Sequence, residues 1–590
     1  MRCATLAVLL ATSAAATKSS LGPAALAPKR DAIDALRHHI NEDVAHVHLR
    51  DLLEDEDRCM KCTAEACGIY MDYSRQKATV HTIDLLIKVA EACQIAEKRD
   101  AMFRGEVMNP TEGRSVRHVS LRATRDDPYA IEEAQDTLDR VLDFARAVRC
   151  KRVRGASGDA LVDVVAIGIG GSSLGPACVH EALASEYRGE AEGRRLRFIA
   201  NVDPVETEMA LRDLDPASTL VIVISKTFTT KETMLNAALV KEWLGDRYET
   251  HMCAVTAASD KARAFGCERV FGFGDYVGGR YSVWSPVGCL PLALQYGVRP
   301  VRDLLKGVRA MDLHFRDAPL AENLPVVLAL VGFLNAVIYE RDCRAVLPYA
   351  RSLSLFPRYA QQLEMESNGK GVDVEGNALT APAGEVVFGE AGTPGQHSFY
   401  QLLHQVRFLR VSRFYPTAAA ACARRGLRAV AATPREWRTS RTPPPRPAQG
   451  LRVVPCEFLG VCDGEGENHD ELFRNFCAQA DALALGNDGG GDNHRRCPGD
   501  RPSLSLTLDR VDAFHVGALL ALYEHRTAAQ GWLYGVNSFD QFGVELGKRL
   551  AGAIERGDAA TASTRALLAR YRAKRVARME ALAAGGGASE

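Results

Sequence analysis

Leu161-Val-Asp-Val-Val-Ala-Ile-Gly-Ile-Gly-Gly-Ser-Ser-Leu-Gly-Pro176 reads as a strand, a glycine turn and the opening of a helix. The first seven residues are almost continuously apolar, the pattern of a strand covered on both faces. The glycines let the backbone turn tightly, and Pro176 suits a first helical turn because its missing N–H would have no partner there. The same grammar returns at Thr219-Leu-Val-Ile-Val-Ile224, followed by Ser225-Lys-Thr-Phe-Thr-Thr230 and a helix-like segment, Glu232 to Leu244. A second set of units begins after a helix-like segment near Leu324, with a strand at Ala345-Val-Leu-Pro348. Alternating strands and helices predict an α/β fold, doubly wound, with mainly parallel sheets covered by helices on both faces.

Outward from this centre the organisation is coarser. Residues 1–30 form a leader, and 31–150 read as mostly helical, for example Thr82 to Lys98 with apolar residues at i, i+3 and i+4 spacing. The first α/β domain spans 151–320 and the second 321–540. The end of the chain, 541–590, reads as a helical arm in which Gln541, Glu545 and Lys548 share one face, with a disordered small-residue tail beyond Arg578.

Bulk properties narrow the function. The 590 residues are 47% hydrophobic and 25% charged, ordinary for a globular protein with a large core. A formal net charge of -1 gives no general attraction for nucleic acid or an anionic membrane, so any anion must be gripped locally. The 16 cysteines lack an evenly spaced framework, which favours a reducing compartment. Cys59-x-x-Cys62-x-x-x-x-Cys67 has no second pair or histidine cluster nearby and reads as free thiols rather than zinc. The longest apolar run, Leu324 to Ile338, is too short to span a bilayer and includes Asn335, so it reads as a buried helix. Two readings fit the leader, with its Leu6-Ala-Val-Leu-Leu10 run and no acidic residue before Asp31: a weak signal or organelle-targeting peptide, or a cytosolic extension.

One stretch stands apart. Val406 to Gln449 is rich in Ala and Arg, lacks an amphipathic register and ends in Thr442-Pro-Pro-Pro-Arg-Pro-Ala-Gln449. Its terminal residues suit splice-site codons and its proline run suits a pyrimidine-rich tract, so translated intron is the expectation. A genuine surface insertion is the alternative, tolerated because loop closure costs little entropy.

Five segments carry chemistry. The turn after the first strand offers backbone N–H groups and a helix N-terminus to an anion, though a plain β-α turn would look the same. It lacks the Lys-Ser/Thr of a P-loop and the spacing of a dinucleotide fingerprint. Ser225 to Thr230 presents four hydroxyls and the Lys226 ammonium before a helix; such clusters also merely cap helices. Two such loops after two successive strands favour a sugar-phosphate clamp. Asp275-Tyr-Val-Gly-Gly-Arg-Tyr-Ser-Val-Trp-Ser-Pro-Val-Gly288 uses two glycines to bring Arg280 close to a ligand. Gln361-Gln-Leu-Glu-Met-Glu-Ser-Asn-Gly-Lys370 supplies two carboxylates beside amide donors, and Thr393-Pro-Gly-Gln-His397 supplies a histidine ahead of a helix. Asn537-Ser-Phe-Asp-Gln-Phe-Gly-Val-Glu-Leu-Gly-Lys548 adds a lysine. The plainer readings are a polar helix end, a structural histidine and a surface Glu545–Lys548 ion pair.

Taken together, these segments and Asn109-Pro-Thr-Glu-Gly-Arg114 resemble the glucose-6-phosphate isomerase (phosphoglucose isomerase) family, from about Leu52 to Ile554 with Val406–Gln449 excluded. The resemblance implies two sugar-isomerase (SIS-type) domains with a C-terminal helical arm, in a homodimer whose sites are completed across the interface. It implies interconversion of glucose 6-phosphate and fructose 6-phosphate through a cis-enediol, in glycolysis and gluconeogenesis, without metal or cofactor. On these positions Glu366 matches the proton-shuttling base, Arg280 the group that stabilises the enediolate, and His397 with Lys548 the ring-opening pair. Gln362 and Gln541 match residues that orient sugar hydroxyls. Gly171, Ser172, Ser225, Lys226, Thr227, Phe228, Thr229, Thr230, Thr233 and Gly279 match the substrate loops. The family further implies a cytoplasmic location, or a plastid or other organelle if the leader is a targeting peptide. Competing readings are an isomerase that also accepts mannose 6-phosphate, a catalytically dead sugar-phosphate sensor, and an extracellular signalling role beside catalysis.

Overall fold

The computed structural model describes residues 27–379, 381–405, 453–558 and 561–585. The stretch 406–449 and almost all of the leader lie outside the described residues. Contacts divide the chain into two compact units, one ending at Ser538 and the other beginning at Phe539.

The first unit is built on two sheets. One contains β3 (Asp163–Ile167), β4 (Arg195–Ile199), β5 (Thr219–Ile224), β6 (Met252–Val255) and β7 (Arg269–Phe271). Its order is β4-β3-β5-β6-β7 and every pairing is parallel. Every residue of β3, β5 and β6 is buried, which is why these runs are nearly continuously apolar rather than alternating. Chain order reverses between β3 and β5, so the loops leaving their carboxyl ends diverge. A crevice at such a switch point is where open α/β sheets place ligands.

The other sheet contains β1 (Thr63–Ala66), β2 (Ile69–Asp72), β8 (Cys343–Pro348), β9 (Val386–Phe388), β10 (Cys456–Val461) and β11 (Ser503–Leu508). Its order is β1-β2-β11-β10-β8-β9, parallel from β11 to β9, with the β1–β2 hairpin added antiparallel. The mostly helical reading of 31–150 missed this hairpin. Its strands are four residues each, turned by Cys67 and Gly68 at φ 56° and 71°, too short for a clear period. The segment Thr82 to Lys98 likewise becomes two helices, Val80–Ala92 and Ile95–Arg104, broken where Gln94 adopts φ 56°.

Helix Ala513–Tyr534 is buried along almost its whole length, against helices Val298–Asp317, Leu324–Phe333 and Phe356–Asn368. Its approach to Val298–Asp317 is so close that a Cβ on Gly307 would sit 1.8 Å from the Phe514 carbonyl oxygen. The apolar run from Leu324 is a buried helix that ends in a wide turn, Leu334–Ile338, where Asn335 donates to Gln76 Oε1 and to the Val331 carbonyl. Among the described residues no helix is long and apolar enough to cross a membrane.

The second unit holds a short turn at Phe542–Val544 and helices Glu545–Glu555 and Ala562–Gly585. The latter helix continues past Arg578, where a disordered tail was expected. Met579-Glu-Ala-Leu-Ala-Ala584 is made of strong helix formers, and they outweigh the glycines that follow.

Candidate active site at the switch point

The turn after β3 is a single tight coil, Gly170–Ser172, leading into helix Leu174–Leu183. Gly171 lies against the backbone of the Arg280 loop: a Cβ there would fall 2.2 Å from the carbonyl carbon of Gly279 and 2.7 Å from the Arg280 nitrogen. Ser282 fastens this contact, donating its hydroxyl to Gly279 O at 2.6 Å and lying 3.4 Å from Gly171 O. Gly171→Ala therefore has to push the Arg280 loop away. A displacement of about 1 Å at a reacting centre can cost about 100-fold in rate, so we expect a loss of that order in kcat, checked by steady-state assay with thermal melting as the fold control.

The loop after β5 runs from Ser225 to Thr230 into helix Lys231–Leu244. Ser225 Oγ donates to Thr230 Oγ1 at 3.1 Å, and the Thr227 and Thr229 hydroxyls face each other at 2.8 Å on the exposed rim. Hydroxyls and backbone N–H groups gathered at the amino end of a helix are chemically suited to cradling an anion. Phe228 turns the loop at φ 51°, but its ring is buried against Phe265 in the core, leaving only its backbone to serve the cradle. Thr233 is likewise buried. Lys226 spans to the neighbouring loop, donating to the carbonyls of Asp275 at 3.1 Å and Val277 at 3.2 Å, with the Asp275 carboxylate at 3.4 Å. Burial lowers its pKa. The loop is thereby tied to the neighbouring loop that carries Gly278, Gly279 and Arg280.

Arg280 is almost wholly buried in the turn Gly279–Tyr281. Its Nε donates to Ser367 Oγ and its Nη2 to the Ser538 carbonyl, both at 2.6 Å, while Nη1 lies 3.7 Å from Glu366 Oε1. Glu366 stands near the end of helix Phe356–Asn368, partly exposed, and receives a hydrogen bond from Gln362 Nε2 at 2.9 Å one turn earlier. The two carboxylates of this helix have separated environments because positions two apart point to opposite sides. Glu364 faces inward, held by Arg526 Nη1 at 3.0 Å and Asn368 Nδ2 at 3.1 Å, and its pKa is raised by burial. Glu366 is turned the other way, partly exposed beside Arg280 and Gln362.

The structure thus brings Gly171, Ser172, Gly279, Arg280, Gln362 and Glu366 together, with Ser225 to Thr230 alongside through Lys226. Among the described residues no hydrogen bond or ion pair joins His397 to this group. The histidine follows the five-residue helix Gly392–Gln396, is exposed, and among the described residues its imidazole makes no hydrogen bond or ion pair. Gln541 and Lys548 belong to the second unit, Lys548 on the exposed helix Glu545–Glu555.

Sequence reasoning missed the supporting shell. Tyr281 and Ser367 stood within the quoted segments, but nothing in spacing says that they touch, at 3.1 Å. Tyr281 stacks on His118 at 4.7 Å, and burial carries the tyrosine pKa up to about 12 and the histidine's well below its usual 6.5. For His118 the unfolded chain binds a proton near pH 6.5 that the folded one refuses. Its contribution is therefore full above that pH and falls as pH drops, by up to about 1.4 kcal/mol per unit. His118→Leu should lessen the acid sensitivity by that slope, read as the difference between urea titrations at pH 7 and pH 5.5.

A family model described as phosphoglucose isomerase matches residues 72–422 and 448–567; it passes over 423–447 but takes in 406–422, which the resemblance had left out. Among curated relatives, the chain is 43% identical to "Glucose-6-phosphate isomerase, cytosolic A" of Oryza sativa subsp. japonica, over 91% of this chain and 94% of that one. It is also 43% identical to the cytosolic glucose-6-phosphate isomerase of Arabidopsis thaliana, over 88% and 91%. Among solved structures, a glucose-6-phosphate isomerase from Chlamydia trachomatis superposes with a TM-score of 0.77 at 28% identity, covering 92% of this chain and 98% of that one.

Proposed function

The chain belongs to the phosphoglucose isomerase family, and from that premise we infer that it interconverts glucose 6-phosphate and fructose 6-phosphate, a step of glycolysis and gluconeogenesis. The observation that carries the reading is the pairing of Arg280 Nη1 with Glu366 Oε1 at 3.7 Å, beside loops suited to an anion.

In our assignment the phosphate rests on the Ser225–Thr230 cradle, against the amino end of helix Lys231–Leu244, and the sugar lies along Gly171, Ser172 and Gly279. Glu366 takes the proton from C2 of the open-chain aldose and returns it to C1, its carboxylate held by Gln362. The electron pair released moves onto the carbonyl oxygen, giving a cis-enediolate whose charge Arg280 stabilises; as C1 takes the proton back, the C2 hydroxyl proton passes to the C1 oxygen and C2 becomes the carbonyl. Glu364 takes no part. His397 and Lys548 open the ring by moving a proton between the ring oxygen and the C1 hydroxyl, and Gln541 orients a sugar hydroxyl. We place the catalytic histidine of each site on a second copy of the chain, in a homodimer. The exposure and unengaged imidazole of His397 favour that arrangement. We assign the enzyme to the cytoplasm, in keeping with relatives named cytosolic. An organelle such as the plastid is the alternative if residues 1–30 are a targeting peptide.

The decisive experiment is a coupled assay of fructose 6-phosphate conversion by the purified full-length chain, with light scattering of the same sample to read the dimer. Turnover is expected. We attribute 406–449 to retained intron, so a chain with that segment deleted should be at least as active as the full one. Loss of activity on deletion would show that the insertion belongs to the enzyme.

A further inference from the structure

We propose that Ser367, the residue after the base, is a positioning residue that sets the orientation of the Arg280 guanidinium; the inference rests on the enediolate-stabilising role given to Arg280 above. A guanidinium can only donate hydrogen bonds. The 2.6 Å contact from Arg280 Nε therefore fixes Ser367 Oγ as acceptor. The Tyr281 hydroxyl lies 3.1 Å from the same oxygen. Ser367 and Tyr281 are fully buried, so water does not compete for the serine.

The other donor on that edge, Nη2, is taken by the Ser538 carbonyl. That carbonyl is itself fixed by helix Phe356–Asn368: Ser538 Oγ donates to Asn368 Oδ1 at 2.7 Å, and Asn368 Nδ2 donates to Glu364 and to the Thr527 carbonyl. Ser367 and Asn368 thus grip one edge of the guanidinium, directly and through Ser538, and turn Nη1 toward Glu366. Base and charge-stabilising group are registered to each other by three consecutive residues of one helix end. Tyr281 follows Arg280 in sequence and closes the loop, so the two segments fix each other. Such fixed donors are useful where charge develops only in the transition state, because they need no reorganisation at that moment.

A positioning role separates transition-state from ground-state binding. Ser367→Ala should lower kcat by roughly 30- to 100-fold while KM for fructose 6-phosphate changes by less than about threefold. A five-carbon aldonate 5-phosphate, whose carboxylate stands in for the enediolate, should lose affinity by the same factor as kcat. A six-carbon alditol 6-phosphate, which has no such charge, should bind as before. In an Arg280→Lys background, Ser367→Ala should cost little more, because the serine acts through the arginine. Full kcat in Ser367→Ala, equal loss of both inhibitors, or multiplying losses in the double variant would each overturn the assignment. Should Ser367→Ala not fold, Tyr281→Phe keeps the stack on His118 and removes only the hydroxyl. It should show the same split at about three- to tenfold, and unchanged kcat and aldonate affinity there would overturn it. Arg280→Lys alone separates the premises: if it retains full kcat, the role of Arg280 fails and the inference falls with it; if it loses activity while Ser367→Ala keeps full kcat, only the inference fails.

Discussion

Glu366→Gln is expected to remove about four orders of magnitude from kcat, in either direction, without loss of fold. The substitution keeps the shape of the side chain and its place beside Gln362, whose amide can still donate to the new amide oxygen as it now does to Oε2 at 2.9 Å. What disappears is the lone pair that must take a proton from carbon. A factor of 10,000 is about 5.5 kcal/mol of barrier, the scale on which an enzyme depends on a positioned base. The phosphate cradle is untouched, so substrate affinity should change little. Exchange of the C2 hydrogen with solvent deuterium offers an independent readout and should vanish together with isomerisation. Turnover within tenfold of the parent would remove Glu366 from its role. The neighbouring carboxylate supplies the control. Glu364→Gln breaks the buried pair with Arg526 and should act mainly on stability, because Glu364 is turned inward onto Arg526 while Glu366 lies beside Arg280 Nη1. The residue pattern alone offers two carboxylates separated by one methionine, and only the family resemblance singles out Glu366; the helix sets them on opposite sides.

That contrast shows which parts of the site could be read in advance. The strand Leu161 to Ile167 and its repeat at Thr219 to Ile224 were legible because burial on both faces forces a continuous apolar run, and they form adjacent parallel strands. The glycines of the two loops were read as places where backbone nears a ligand; the structure gives one of them a different partner, Gly171 packed against the Gly279 backbone, with open space where a Gly279 Cβ would stand. The β1–β2 hairpin was not legible, since four-residue strands carry too little period and their partner, β11, lies more than 400 residues away. Nor could Phe228 be separated from its neighbours in a polar loop; only the fold shows that its ring belongs to the core. The charges beneath the site were the least visible, because Arg122, Asp312 and Glu524 come from three distant segments and look like ordinary surface residues in a sequence.

Those buried charges carry the second large expectation. Arg122 has no exposed side-chain surface. It holds Asp312 by a two-pronged contact at 2.7 and 2.8 Å and also binds the Glu524 carboxylate. Glu524 in turn accepts from Trp284 Nε1 at 2.8 Å, and Asp312 lies 2.6 Å from His525 Nε2. One guanidinium therefore joins the turn at His118–Leu121, the helix Val298–Asp317, the segment after Arg280 and the long buried helix Ala513–Tyr534. Burial raises the pKa of Glu524, the Asp312 charge adds to the rise, and Arg122 opposes it. Arg122→Leu would leave two carboxylates buried without their counter-charge, a loss of about 3–5 kcal/mol, comparable to the whole stability of many domains. We expect a large drop in the urea midpoint and poor yield of soluble protein, measured beside the parent at pH 7. Adding Asp312→Asn and Glu524→Gln to the same chain removes the stranded charges and should recover part of the loss, because the penalty lies in uncompensated charge rather than in missing contacts. A single variant as stable as the parent would mean that the buried charges are neutralised by something other than Arg122, and would break the link drawn here between the core and the strip of chain that carries Arg280.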